Sequence, residues 1–103
     1  MRDSDVFRAL ADANRRKILK LLQRGSLSAG ELAEQFSIGK ASLSHHFAIL
    51  RAVDLVRSER RGQRIVYSLN TTVLEDVAAL LLDVLQSSSK RARRGALAPA
   101  RGS

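Results

Sequence analysis

The chain has no cysteine or tryptophan and a single proline, Pro99, and only 4% of its residues are aromatic. Without cysteine there are no disulfides, thiolate metal sites, thiol nucleophiles or sulfur-based redox sensors. Pro99 lies so late that nothing before it is barred from helix. Long apolar runs are missing too: the strongest, Val77 to Leu82, falls far short of the ~20 residues that span a bilayer, and the N-terminus carries no apolar signal core. These absences imply a cytoplasmic protein without a membrane span. Against them stand 45% hydrophobic residues in 103. That is enough for one small helix-rich domain, with little surface burial to spare, so a second copy would help.

Charge is uneven along the chain. The formal balance is +8, but Lys90, Arg91, Arg93, Arg94 and Arg101 follow Ser89 with no acid among them, and residues 1–89 hold 13 Lys/Arg against 10 Asp/Glu. A basic balance suits a polyanion such as nucleic acid, through phosphate contacts that release counterions. A basic tail is equally an ordinary solubilising end. The chain is therefore divided into a folded domain at 1–89 and a basic, unstructured tail at 90–103.

Apolar periodicity places the elements. Val6, Phe7 and Leu10 mark a first helix over Asp5 to Ala11. Ile18, Leu19, Leu21 and Leu22 mark a second from Ala13 to Arg24, with Asp12 as its cap and Gly25 beyond its end. Ser28 and Glu31 form a capping box for a third helix ending near Phe36. The link Ser37-Ile38-Gly39 then turns the chain into a fourth helix, Lys40 to Ala52, which is the helix-turn-helix pattern. "LVRSER", a turn "RGQ" and "RIVYSL" predict a hairpin. Thr72 and Glu75 predict a second capping box, opening a last helix to about Ser88. The fold class is mainly α with a β-hairpin wing: a winged helix-turn-helix in the order α1-α2-α3-α4-β-β-α5.

The fourth helix carries adjacent histidines in "SIGKASLSHHFAILRAVDLV". At about 100° per residue, Leu43, His46, Phe47 and Leu50 share one side, while Ala41, Ser44, His45 and Ala48 lie opposite. The first set packs on a core. The second is small, polar and acid-free, as a helix must be to approach the floor of a major groove and offer hydrogen-bonding groups to base edges. Neighbouring helical positions point apart, so His45 and His46 do not chelate one ion together. His46 reads as a packing residue, and His45 as a contact to base or phosphate, against the alternative of a plain solvated histidine. Gly39 and Lys40 stand where free backbone N–H groups can receive a phosphate, and Ser42 either does likewise or caps. Arg60, Arg61 and Arg64, with Gln63, form a hairpin tip able to clamp a backbone or enter a minor groove, if it is not simply a charged turn.

The last helix shows Val73, Leu74, Val77, Leu80, Leu81, Leu82, Val84 and Leu85, too broad an apolar band for one small core. The dimer surface is accordingly placed on Val6, Phe7, Leu10, Val77, Leu80, Leu81, Val84 and Leu85. A twofold dimer would hold two reading helices about one DNA turn apart, matching a palindromic site.

"FRALADANRRKILKLL" and "LSAGELAEQFSIGKASLSHHFAILRAVDLVRSERRGQRIVYSLN", with the helix after them, resemble the ArsR/SmtB winged-helix repressors over residues 4–88. "LSAGELAEQFSI" and "YSLNTTVLEDV" resemble its SdpR-like autorepressor branch. The resemblance implies a dimer through the first and last helices that binds operator DNA when its effector is absent. The implied reading positions are Lys40, Ala41, Ser44 and His45, with the wing at Arg60 to Arg64. Ala41 replaces the usual hydroxyl residue, and Ala13 a usual proline. The family's thiolate site falls around Glu31 to Glu34, where there is no cysteine; its zinc-type site falls on Thr71, Val73, Val84 and Ser87, which are not a ligand set. Asp76 and Asp83 lack histidine partners. No metal and no cofactor are expected.

The function expected is thus a homodimeric DNA-binding repressor on a palindromic operator, with a protein effector, a small-molecule effector or none. The alternative is a sequence-nonspecific or architectural DNA-binding protein. A winged helix used for protein contacts alone fits the small, acid-free reading face poorly. An enzyme fits least, since catalysis needs a nucleophile, a base and an orienting group in a pocket, and Ser44 beside His45 on an open helix face offers only the first two, pointing apart.

Overall fold

The computed structural model describes residues 3–97, with side chains described over 3–89. Helix α1 spans Asp3–Leu10, α2 Ala13–Leu22, α3 Ala29–Ala33, α4 Lys40–Ala52 and α5 Thr71–Leu97; strand β1 is Leu27–Ser28, β2 Val56–Arg61 and β3 Arg64–Leu69. The expected helix-turn-helix with a hairpin wing is present, and α4 has the expected bounds.

Local chemistry sets the boundaries. Asp12 caps α2 by accepting from the Arg15 backbone N–H at 3.0 Å. Ser28 and Glu31 form the full reciprocal capping box of α3, at 3.1 and 2.9 Å. After α4 the chain closes a Schellman turn: Leu55 N–H donates to Leu50 O and Asp54 N–H to Arg51 O, both at 3.0 Å, with Asp54 at φ 60° in the left-handed position. That turn delivers Leu55 and Val56 into the core and starts the wing.

Several boundaries differ from expectation. Helix α3 stops at Ala33 rather than near Phe36, and α2 at Leu22. Arg61 belongs to β2, not to the turn: it pairs with Arg64, leaving Gly62 and Gln63 as a two-residue loop. Gly62 has φ 62°, which only glycine adopts freely at the first position of such a loop. A third strand was not foreseen. Leu27 and Ser28 pair antiparallel with Tyr67 and Val66, giving a sheet of order β1-β3-β2. Helix α5 begins at Thr71, so Asn70 precedes it and Thr72 lies inside. It continues to Leu97, so residues 90–97, expected to be unstructured, have helical backbone; 98–103 lie outside the described residues.

One core unites the elements: Val6 and Ala9 of α1; Ile18, Leu19 and Leu22 of α2; Leu32 of α3; Leu43, Phe47 and Leu50 of α4; then Val53, Leu55, Val56, Tyr67 and Val77. Helix α5 contributes little to it. Val73, Leu74 and Val77 pack inward, whereas every residue from Ala78 to Ser89 is exposed. A 27-residue helix extends ~40 Å, so most of its length leaves the domain, and the chain as a whole measures 66 Å along its long axis against 26 and 24 Å. Among the described residues, no helix is long and apolar enough to cross a membrane.

Candidate nucleic-acid interface

Helix α4 divides as its sequence requires. Leu43, Phe47 and Leu50 are buried, and Lys40, Ala41, Ser42, Ser44, His45 and Ala48 are exposed. The outward face thus carries one ammonium, hydroxyls, an imidazole and methyl groups, with no carboxylate. Its N-terminus differs from those of α2 and α3. Gly39 stands at the cap position and supplies no side-chain hydrogen bond, so the first amides of α4 face outward without a side-chain partner.

The wing is tied to this helix through aromatic and polar contacts. Phe47 of α4 and Tyr67 of β3 stack with ring centroids 4.4 Å apart and planes inclined by 30°. Burial pushes the Tyr67 phenol above its ordinary value of 10.0, with Arg51 pulling the other way. Arg51 also reaches the Ser58 hydroxyl at 3.4 Å, joining the end of α4 to β2. A shallow cavity of about 270 Å³ between α3 and α4 is lined by Ala29, Gly30, Ala33, Lys40, Ser44 and Phe47.

At the wing tip Arg60, Arg61 and Arg64 are exposed, as is Gln63, and each of these three arginines has a partner within the chain. Arg60 Nε donates to Gly62 O at 3.3 Å; Arg61 pairs with Glu59 at 3.2 Å; Arg64 pairs with Glu31 at 3.3 Å. The last of these was not anticipated. Glu31 Oε1 accepts both from the Ser28 backbone and from Arg64, so the capping carboxylate of α3 also anchors the wing. Its carboxyl lies below its ordinary 4.5, first because of the two Ser28 hydrogen bonds and then because of Arg64. Such exposed pairs are weak enough for a phosphate to replace the carboxylate.

His46 is 12% exposed through its side chain, as its expected packing role requires, but its surroundings are polar. Its Nδ1 lies 3.2 Å from Arg15 Nη1 and 3.8 Å from Asp12 Oδ2. Asp12 lies below its ordinary 3.8, chiefly through the Arg15 N–H, with His46 and Arg15 charges adding to it. Residues 31 positions apart leave no periodic trace in sequence, which is why this contact went unseen.

The surface expected to pair with a second copy splits in two. Val6 and Val77, expected there, are core residues of the single chain at 4% and 7% exposure. Leu10 is half-buried against that core. Phe7, Leu80, Leu81, Val84 and Leu85 are exposed, joined by Leu82. Among the described residues no group of three His, Cys, Asp or Glu stands together as a ligand set.

A tight two-helix unit with an open, acid-free second helix, braced by a stacked β-wing, defines a winged helix-turn-helix DNA-binding protein. Residues 12–58 match the model of the family described as bacterial regulatory protein, arsR family. The transcriptional repressor SdpR of Bacillus subtilis is 48% identical over 82 residues, covering 80% of this chain and 91% of that protein. The arsenical resistance operon repressor of Staphylococcus aureus is 34% identical over 85% of this chain and 84% of its own. Among solved structures, an ArsR-like transcriptional regulator from Rhodococcus sp. RHA1 superposes with a TM-score of 0.75 at 30% identity, over 88% of this chain and 86% of that one. The chain belongs to the arsR family of bacterial regulatory proteins. It is a DNA-binding transcriptional regulator, and its family is not one of enzymes.

Proposed function

We propose that the protein is a homodimeric transcriptional repressor of the cytoplasm that reads a palindromic operator with α4 and clamps it with the wing, without metal sensing. The observation that carries this reading is the division of α4: three large side chains buried, and Lys40, Ala41, Ser42, Ser44 and His45 left open on a face with no acid. Ser44 and His45 carry the sequence preference, while Lys40, Ser42, Arg60, Arg61, Gln63 and Arg64 act on phosphates. Ala41 offers a methyl group where the resemblance implies a hydroxyl, so it contributes close approach in place of a hydrogen bond.

Dimerisation is assigned to Phe7 and the outer face of α5, where Leu80, Leu81, Val84 and Leu85 stand exposed. Leu10, already half-buried, would be sealed by the partner. The functional unit is residues 1–89, with 90–103 a basic extension, helical over 90–97, that adds charge. Residues at the family's sensing positions, including Thr71, Val73, Val84 and Ser87, offer no thiolate or imidazole. Relief of repression is assigned to a protein or small-molecule effector, or to the protein's own concentration.

The test is equilibrium binding to the DNA upstream of its own coding sequence and to a scrambled duplex, at one salt concentration. A preference of roughly 10³ or more supports a specific repressor. Equal affinity, falling steeply with salt, defeats it in favour of binding by charge alone.

A further inference from the structure

The guanidinium of Arg15 occupies a position that neither the reading face nor the dimer surface explains. Helix α1 ends at Leu10; Arg8 O accepts from the Ala11 backbone N–H at 3.2 Å, and the carbonyls of Ala9 and Leu10 are left to side-chain donors. Arg15 Nε donates to Ala9 O at 2.7 Å and Nη2 to Arg8 O at 3.2 Å, while Arg16 Nη1 reaches Leu10 O at 2.8 Å. The same guanidinium turns its remaining amine, Nη1, to His46 Nδ1 on α4. One planar side chain thus closes α1 and holds α4.

A guanidinium has five N–H groups and no acceptor. The 3.2 Å contact is therefore a hydrogen bond only when His46 Nδ1 carries no proton, which fixes the neutral ring as its Nε2–H tautomer. Protonation at Nδ1 removes the acceptor and sets two cations face to face. The new N–H would then turn to Asp12 Oδ2, 3.8 Å away, which already caps α2. Asp12 and Arg15 are the charged groups facing the ring from the start of α2. Asp5 and Arg8 of α1 line the adjoining cleft with Arg15, and His45 lies 6.1 Å away on the same helix.

We propose that Arg15 is a positioning residue for DNA reading: through neutral His46 it fixes the angle of α4 to α1, and protonation of His46 releases that hold. The inference rests on the reading of α4 as the DNA-contacting helix and of α1 as part of the dimer surface. Neither side chain then touches DNA. Arg15 acts by keeping the two reading helices of a dimer at the separation that a groove repeat demands.

The experiment uses the full chain and its own upstream DNA, with scrambled duplex as reference, from pH 8 to pH 5.5 at constant salt. Arg15→Lys keeps the charge but cannot serve α1 and α4 together. Its specific affinity at pH 8 should fall roughly tenfold, with scrambled-DNA affinity and dimerisation unchanged. His46→Asn places a non-titrating amide oxygen near the Nδ1 position, so at pH 8 it should bind within roughly threefold of wild type. Wild type should then lose roughly tenfold relative to His46→Asn on acidification; His45 is present in both and cancels. Nitrogen-15 spectra of the His46 ring should show bare Nδ1 and protonated Nε2 at pH 8. A protonated Nδ1 at pH 8, an Arg15→Lys protein that binds like wild type, or parallel pH profiles for wild type and His46→Asn would each overturn the inference while leaving the DNA-reading assignment intact. A wild-type protein with no preference for its upstream DNA would overturn both.

Discussion

Helices α4 and α5 both present a long open face, but of opposite kinds. On α4 the large apolar side chains are all turned inward, and what remains outside is small, polar or basic. On α5 the large apolar side chains are themselves outside: Leu80, Leu81, Leu82, Val84 and Leu85 are 40–62% exposed. Water tolerates the first face and penalises the second by roughly 25 cal/mol for each Å² of apolar surface left uncovered. The first is shaped for a polar, charged partner of regular spacing, and the second for another apolar surface. The core of one chain cannot cover it, since α5 has left the domain by Ala78.

The largest effect should follow from breaking the apolar face. Leu81→Glu combined with Leu85→Glu should yield a folded monomer by sedimentation, and DNA affinity should fall by about 10²–10⁴ because the two sites are no longer linked. Next in size is a cut where α4 meets the core: Leu50→Ala should cost about 2–5 kcal/mol in denaturant unfolding, since Leu50 is fully buried. His45→Ala or Ser44→Ala should cost about 1–2 kcal/mol of preference for the cognate site over scrambled DNA, with stability and dimerisation unaltered. Arg61→Ala should weaken cognate and scrambled binding alike and lower the slope of log affinity against log salt by about one.

The smallest effect sharpens the comparison at helix ends. Asp12 and Glu31 lie below their ordinary values of 3.8 and 4.5 in the folded chain. A depressed carboxylate contributes stability that is complete above its unfolded value and disappears as pH falls through the folded one. Thermal melting should therefore lose this contribution below about pH 5, on the acid side only. Glu31→Gln, which can still close the capping box but does not ionise, should blunt that loss.

The fold was legible because its elements announce themselves locally. Asp12, Ser28 with Glu31, Gly62 and the apolar period of α4 each fix a boundary or a face within a few residues. Strand β1 was hidden because its two residues are also the entry to a capping box. The end of α5 was misplaced because "SSSKRARRGAL" resembles a solvated tail in composition, yet its backbone remains helical to Leu97. The reading face of α4 could be derived from spacing alone. Arg64–Glu31, Phe47–Tyr67 and Arg15–His46 could not, because each joins positions 20 to 33 residues apart through the tertiary fold. Val6 and Val77 lie in the core although their pattern suits an interface equally well, because an amphipathic stripe does not say whether the chain's own core or a second copy covers it.

If two copies of α4 enter successive major grooves of one duplex, a hydroxyl-radical footprint on the DNA upstream of the gene should show it. Two symmetric protected segments are expected, centred about one helical turn apart, ~34 Å or 10 base pairs or a small multiple of it, both lost together in the Leu81→Glu, Leu85→Glu protein. A single protected segment, or uniform protection along the fragment, would contradict it.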